Sequence, residues 1–189
     1  MRVQSARMKE RRRWLVVFVL LVGTIALDQV TKVIAKATLR TAATQSFLAD
    51  TFRLTYAENR GAFLSLGAAL PQAARFWVLE VGVALVLVAL LVHSIIGKKV
   101  DLTQAAAYAL VVGGGLGNWI DRVLRGGLVV DFLNLGIGPV RTGVFNVADV
   151  AIMAGAALLL LSGYIVRPQP TSSPPPAEPE QTAPPPGAT

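Results

Sequence analysis

The chain has 189 residues, of which 53% are hydrophobic and only 15% charged, and its mean hydropathy is +0.56. A soluble domain carries roughly 25% charged residues, so this composition excludes an ordinary water-soluble fold and fits one compact unit of a few membrane spans. Net charge is +7 and cysteine is absent, which removes disulfides, thiolate catalysis and sulfur metal ligands.

Six of the 18 Lys and Arg residues precede Trp14: Arg2, Arg7, Lys9, Arg11, Arg12 and Arg13. Against a hydrophobic span, a basic segment over 1–13 marks the cytoplasmic side rather than a nucleic-acid site. The first span runs from Trp14 to about Ala37. No small-residue cleavage site follows it, and Asp28-Gln29-Val30-Thr31-Lys32 continues the helix, so the segment reads as a retained span and not a signal peptide.

The stretch over about 38–73 then lies outside the membrane. Within it Phe52-Arg53-Leu54-Thr55-Tyr56 alternates as a half-buried strand does, and Asn59-Arg60-Gly61 reads as a turn. A small extracytoplasmic β-segment is expected there.

Three further spans follow, over about Ala74 to Ile96, Thr103 to Leu124 and Asn146 to Val166. Gly113-Gly114-Gly115 in the third signals close helix packing. With four spans both termini are cytoplasmic. Lys98-Lys99 and Arg167 agree, while Arg40, Arg53, Arg60 and Arg75 run against the rule on a segment long enough to obey it weakly. The membrane unit covers 14–166. Nine of the eleven prolines fall between Pro168 and Pro186, so the tail over 167–189 is expected to be disordered.

Four aspartates, Asp28, Asp121, Asp131 and Asp149, lie in or at the edges of these apolar runs. Carboxylates in hydrocarbon are costly and persist where they face a protected interior. At about 1.5 Å per residue, Asp28 lies roughly 21 Å from the inner edge, and Asn118 and Asp121 roughly 22 and 27 Å along the third span. Asn146 and Asp149 open the fourth span, and Asp131 lies in the connection before it. All of them collect at one depth, the outer part of the bilayer. Asp28 and Lys32 share a helix face, as do Asn118, Asp121 and Arg122.

Each of these residues also has a structural reading. Asp28–Lys32 can be a neutralised pair, Asp121–Arg122 can tie a loop to the bundle, Asp149 can be a capping acid and Asp131 a solvated loop acid. The functional reading pairs Asp131 with Asp149: two carboxylates at contact cannot both ionise cheaply, so one acts as acid and the other as base.

Other chemistries fit less well. His93, the one histidine, lies near the inner end of the second span, which leaves no Ser–His triad and no metal site around it. A Ser–Lys dyad would need Lys32 beside Ser65. Gly113-Gly114-Gly115-Leu116-Gly117 follows no strand and lacks Lys-Ser/Thr, so it is not a phosphate loop. A cation-coupled transporter would spread its acids across the membrane depth and often repeat itself, and neither is seen. A membrane scaffold held by buried polar pairs is the third reading.

Five motifs in order, Asp28-Gln29-Val30-Thr31-Lys32, Glu58-Asn59-Arg60-Gly61-Ala62-Phe63, Gly117-Asn118-Trp119-Ile120-Asp121-Arg122, Val129-Val130-Asp131-Phe132 and Phe145-Asn146-Val147-Ala148-Asp149, closely resemble bacterial lipoprotein signal peptidase, signal peptidase type II. The resemblance spans about Trp14 to Val166. It implies an all-α membrane protein of four transmembrane helices with a small extracytoplasmic β-containing segment, in the bacterial inner membrane. The implied activity is that of an aspartic endopeptidase removing the signal peptide of diacylglyceryl-modified prolipoproteins just before the lipidated cysteine.

The family's dyad falls on Asp131 and Asp149. Its supporting residues fall on Asp28, Lys32, Asn59, Gly61, Asn118, Asp121, Arg122 and Asn146. Asn118 and Asn146 would orient the dyad or the scissile carbonyl, and Asp121–Arg122 would hold the scaffold. No cofactor and no metal are implied. The expected partners are the prolipoprotein substrates and membrane lipids, not nucleic acid, and the expected state is a monomer. Ala62-Phe63-Leu64-Ser65 departs from the family's Ala-Ala-Phe order, and the proline-rich tail is outside the pattern.

Overall fold

The structure, a computed structural model, describes residues 2–61, 70–97 and 100–165. The expectations for Ser65 and the Ala62 to Ser65 stretch, for Lys98-Lys99 and for the tail from Val166 lie outside the described residues. In chain order the elements are α1 (Arg2–Leu39), β1 (Gln45–Phe47), β2 (Phe52–Asn59), α2 (Gln72–Arg75), a π-helical segment (Phe76–Gly82), α3 (Val83–Ile96), α4 (Leu102–Leu124), β3 (Val129–Ile137), β4 (Val140–Arg141) and α5 (Val147–Ile165). Helix α1 starts earlier than the apolar run because the Arg, Lys, Glu and Met residues of the basic block are good helix formers.

Helix α4 lies at the centre. Its residues Gly113, Gly114, Gly115 and Gly117 each face a different close neighbour: Thr24 of α1, the Ala148 carbonyl of α5, Leu87 of α3, and Asp28 of α1. A Cβ on Gly113 would stand 3.0 Å from Thr24 Cβ, and one on Gly117 would stand 2.5 Å from the Asp28 carboxylate. The glycines thus let three helices and a buried acid approach one backbone at once. Val17 packs with Ala105 and Ala109, and Asp28 stands by Gly117, so α1 and α4 run parallel. Leu87 and Gly115 meet, as do His93 and Tyr108, whose rings stack edge to face at 5.3 Å, so α3 runs antiparallel to α4. Gly114 against Ala148 and Gly155 against Ala107 make α5 antiparallel as well.

The end remote from the sheet is closed by Arg13. Its guanidinium donates to the carbonyls of Ile95 (2.5 Å), Gly97 (3.2 Å) and Val100 (3.3 Å), the last two in the turn before α4. Helix α4 begins with a capping box: Gln104 N–H donates to Asp101 Oδ1 at 2.8 Å, and Asp101 N–H donates to Gln104 Oε1 at 3.2 Å.

At the other end the strands form one antiparallel sheet in the order β1-β2-β3-β4. The expected strand at Phe52 to Tyr56 is found within β2. Asp131, expected in a connection, instead belongs to β3, opposite Ala57 and beside a register shift between Leu54 and Ala57. Bulges of this kind re-aim side chains and are common beside functional sites. The sheet is seated on α1, where Phe132 is buried with Ala35 and Leu39.

Among the described residues two helices, Glu10–Leu39 and Gln72–Ile96, are long and apolar enough to cross a membrane by length and composition. The other two were also expected to qualify. Helix α4 falls short because Thr103, Gln104, Asn118, Asp121, Arg122 and its glycines dilute the apolar residues, and the apolar run of α5, Val147–Ser162, is shorter.

Gly114→Ala drives a Cβ into the Ala148 backbone carbonyl and is expected to cost about 1–3 kcal/mol as overpacking. Gly23→Ala, where nothing lies within 4 Å, should be neutral or slightly stabilising. Thermal unfolding of the two variants in detergent checks the contrast; equal melting temperatures would contradict the packing described.

Candidate active site

The site grows from two residues on one face of α1. Asp28 and Lys32, one turn apart, are both fully buried, with Lys32 Nζ 2.8 Å from Asp28 Oδ2. The same ammonium reaches α4, lying 3.2 Å from Asp121 Oδ2 and donating to Asn118 Oδ1 at 2.9 Å. Asp28 Oδ1 accepts from the Ala148 N–H of α5 at 3.0 Å. Asp121 Oδ2 accepts from the Val130 N–H of β3 at 3.1 Å, and Arg125 Nε lies 3.2 Å from its Oδ1. The cluster therefore ties α1 to α4 and α5, and α4 to β3, while its charges are paired and hydrogen-bonded, which is what makes buried charge tolerable.

Asn118 passes this order to the acids. With Oδ1 committed to Lys32, its Nδ2 must point the other way, and it donates to Asp149 Oδ1 at 2.9 Å. Asn146 is its counterpart at the start of α5. Its Nδ2 donates to Asn118 Oδ1 at 3.0 Å and to Asp131 Oδ1 at 2.6 Å. Its Oδ1 accepts from the Asp149 N–H at 3.0 Å, while Asp149 Oδ2 accepts from the Asn146 N–H at 3.1 Å. This reciprocal exchange is a capping box, so Asp149 is a capping acid as well as a member of the cluster.

Asp131 Oδ2 accepts from Asn59 Nδ2 at 3.1 Å, and Asn59 Oδ1 accepts from the Gly61 N–H at 2.9 Å. Arg122 closes the circuit, donating from Nη2 to the Gly61 carbonyl at 3.0 Å and from Nη1 to the Asn118 carbonyl at 3.3 Å. Burial pushes the Asp131 carboxyl up to about 6; the Asn59 amide pulls it down, and the charge on Asp149 adds to the rise.

All ten residues singled out in the sequence thus belong to one connected network. One participant went unnoticed although its motif was quoted: Gln29, whose Nε2 donates to the Gly117 carbonyl at 3.0 Å and to Asp28 Oδ2 at 3.1 Å. The signal was an amide beside an aspartate inside an apolar helix.

A buried polar network at one end of an apolar helical bundle, roofed by a small sheet, is the build of a membrane enzyme. Two solved structures described as bacterial membrane enzymes share the fold, one at 28% identity with a TM-score of 0.68, covering 78% of this chain and 87% of that one. The other has 27% identity and a TM-score of 0.66, covering 80% and 94% respectively. The family model described as signal peptidase (SPase) II matches residues 20–165. Lipoprotein signal peptidase of Nostoc punctiforme is 36% identical over 158 residues, 84% of this chain and 92% of that protein. That of Geobacter sulfurreducens is 39% identical over 137 residues, 72% and 84% respectively. The chain belongs to the signal peptidase II family and is a membrane-bound peptidase.

Lys32→Met leaves Asp28 and Asp121 buried without their common cation. A loss of about 3–5 kcal/mol is expected, as for breaking one partner out of a buried ion pair. Thermal unfolding of the detergent-solubilised protein measures it, and an unchanged melting temperature would show that the cluster is not structurally coupled.

Proposed function

We propose that this peptidase is an intramembrane aspartic endopeptidase in which Asp131 and Asp149 share one proton. Its substrate is a diacylglyceryl-modified prolipoprotein, cut just before the lipidated cysteine. The observation that carries this reading is the paired amides: Asn146 donates to Asp131, Asn118 donates to Asp149, and the two amides bond each other. Two acids from separate elements, one buried and one half-buried, fixed by one chain of amide donors, are the arrangement that general acid–base hydrolysis needs.

The chemistry balances with water alone. The ionised carboxylate, Asp149, takes a proton as the water oxygen bonds to the scissile carbonyl carbon. The protonated acid, Asp131, hydrogen-bonds and then protonates the carbonyl oxygen. As the tetrahedral diol collapses, the carbon–nitrogen bond breaks, the nitrogen leaves with the proton held on Asp149, and a diol hydroxyl returns its proton to Asp131. One carboxylate and one acid are restored, and their titration belongs to the pair.

The membrane setting supports the substrate. Helices Glu10–Leu39 and Gln72–Ile96 together with α4 and α5 would cross the inner membrane four times, with both termini cytoplasmic. Helix α4, with 23 residues, is about 34 Å long, enough for the hydrocarbon core. The network then lies at the extracytoplasmic rim, where a modified cysteine can keep its acyl chains in lipid. A monomer holds every residue of the site.

Asp131→Asn and Asp149→Asn should each lower the cleavage rate of a diacylglyceryl-modified prolipoprotein by at least about 10²–10⁴-fold without loss of folded protein. A rate near that of the parent from either variant would remove the dyad. Chelators should leave the parent rate unchanged.

The pH profile gives a second test. Loss of the shared proton sets the alkaline limb of kcat/KM, so its midpoint should lie at or above about 6. The Asn59 amide holds Asp131 down, so Asn59→Ala should move the limb to higher pH. Movement to lower pH would contradict the assignment of Asp131 as the acid.

A further inference from the structure

A cavity of about 310 Å³ opens at the sheet end of the bundle, beside the polar network but lined by neither Asp131 nor Asp149. Its lining carries three guanidinium groups, Arg60, Arg75 and Arg122, against one carboxylate, Glu80, with Phe76 and the Gly127 backbone among its walls. Among its lining residues positive charge is therefore in excess, although Arg122 also faces Asp149, Asp131 and Asp121 on its inner side. Arg122 is 8% exposed, and its Nε is buried with no hydrogen-bond partner among the described residues, although its other nitrogens are engaged.

Position narrows the ligand. Arg75, Phe76 and Glu80 lie within the first turns of the membrane-length helix Gln72–Ile96, and Arg122 lies in the last turn of α4. The helix ends beside it present exposed apolar groups: Trp77 is 63% exposed and Leu124 76%. Such a level, with an interfacial Trp and basic groups above apolar surface, is where lipid headgroups meet hydrocarbon. Guanidinium forks match phosphate oxygens in pairs.

We propose that this cavity binds the phosphodiester headgroup of an anionic phospholipid. Arg60 and Arg75 contact the phosphate from two sides, Arg122 closes the back, and the acyl chains run down the outside of the helix past Phe76. A zwitterionic choline headgroup brings its own cation into a site already in positive excess and is held less well. The inference rests on the membrane setting proposed above and not on the aspartate dyad. Because Arg122 also holds the Gly61 carbonyl, and Gly61 in turn bonds Asn59 beside Asp131, a bound headgroup steadies the strand end at the active site. Peptidase activity should then rise with anionic lipid.

The test uses the full chain, with lipid retention measured by native mass spectrometry from mixed micelles and cleavage measured in nanodiscs. The nanodiscs contain phosphatidylcholine alone or with phosphatidylglycerol. Phosphatidylglycerol should be retained over phosphatidylcholine by on the order of tenfold, about the worth of one charge-assisted hydrogen bond. Arg60→Gln with Arg75→Gln should erase that preference and the stimulation, leaving the rate in phosphatidylcholine unchanged. Glu80→Gln, which removes the opposing charge, should strengthen it, an outcome that misfolding cannot mimic. Arg11→Gln with Arg12→Gln, at the other end of the bundle, should leave it intact, and Asp131→Asn should abolish cleavage but not retention.

Equal retention of the two lipids, a preference that follows Arg11 and Arg12, or a Glu80→Gln variant with weaker binding would overturn the proposal. So would inorganic phosphate alone binding as tightly as the lipid, which would reassign the cavity to a soluble anion.

Discussion

The Lys32 ammonium is the interaction on which the remainder of the site depends. One nitrogen on α1 holds two carboxylates and one amide oxygen, and the three acceptors come from α1 and α4. An amide is indifferent to which way it is turned until something distinguishes its oxygen from its nitrogen. Lys32 makes that distinction for Asn118, and Asn118 makes it for Asn146. The donors aimed at Asp131 and Asp149 therefore take their direction from a cation that touches neither acid. The acids of the inner cluster in turn accept backbone N–H groups from β3 and α5, so the elements bearing Asp131 and Asp149 are pulled toward the same point.

This convergence needs a helix that others can approach closely. Helix α4 supplies it through glycines at successive positions, and the site residues begin one residue beyond the last of them. Close packing and polar chemistry are consecutive along the same helix. The capping box at Asn146 and Asp149 adds economy of another kind, since the exchange that starts α5 also fixes one of the two acids.

Much of this was legible in the chain. Charged and amide side chains inside apolar runs are costly enough to stand out, and their depths could be estimated from helical rise alone. The ten residues of the network stand out in that way or through the family resemblance. The strand holding Asp131 was harder to see. Val129 to Phe132 is buried on both faces, so it lacks the alternation of a half-buried strand, and its main partner, β2, lies some seventy residues earlier. Gln29 was passed over because its three acceptors lie on or beside α1 and α4, and only the packing of those helices brings them together. Helices α4 and α5 are less plainly apolar than the other two, because their ends carry the polar residues that the fold uses for the site.

The π-helical segment at Phe76–Gly82 has a consequence for the helix as a whole. There the Glu80 carbonyl accepts from the Trp119 indole N–H at 2.9 Å, a bond across to α4. A wider turn places one additional residue in the coil, and a residue occupies about 100° of an α-helix. The portions above and below it are thereby out of phase: the stripe that α3 turns toward the bundle does not continue straight into α2. Deleting a single residue from this segment would restore uniform winding but would swing one portion about a quarter turn relative to the other, presenting different side chains to lipid and to protein.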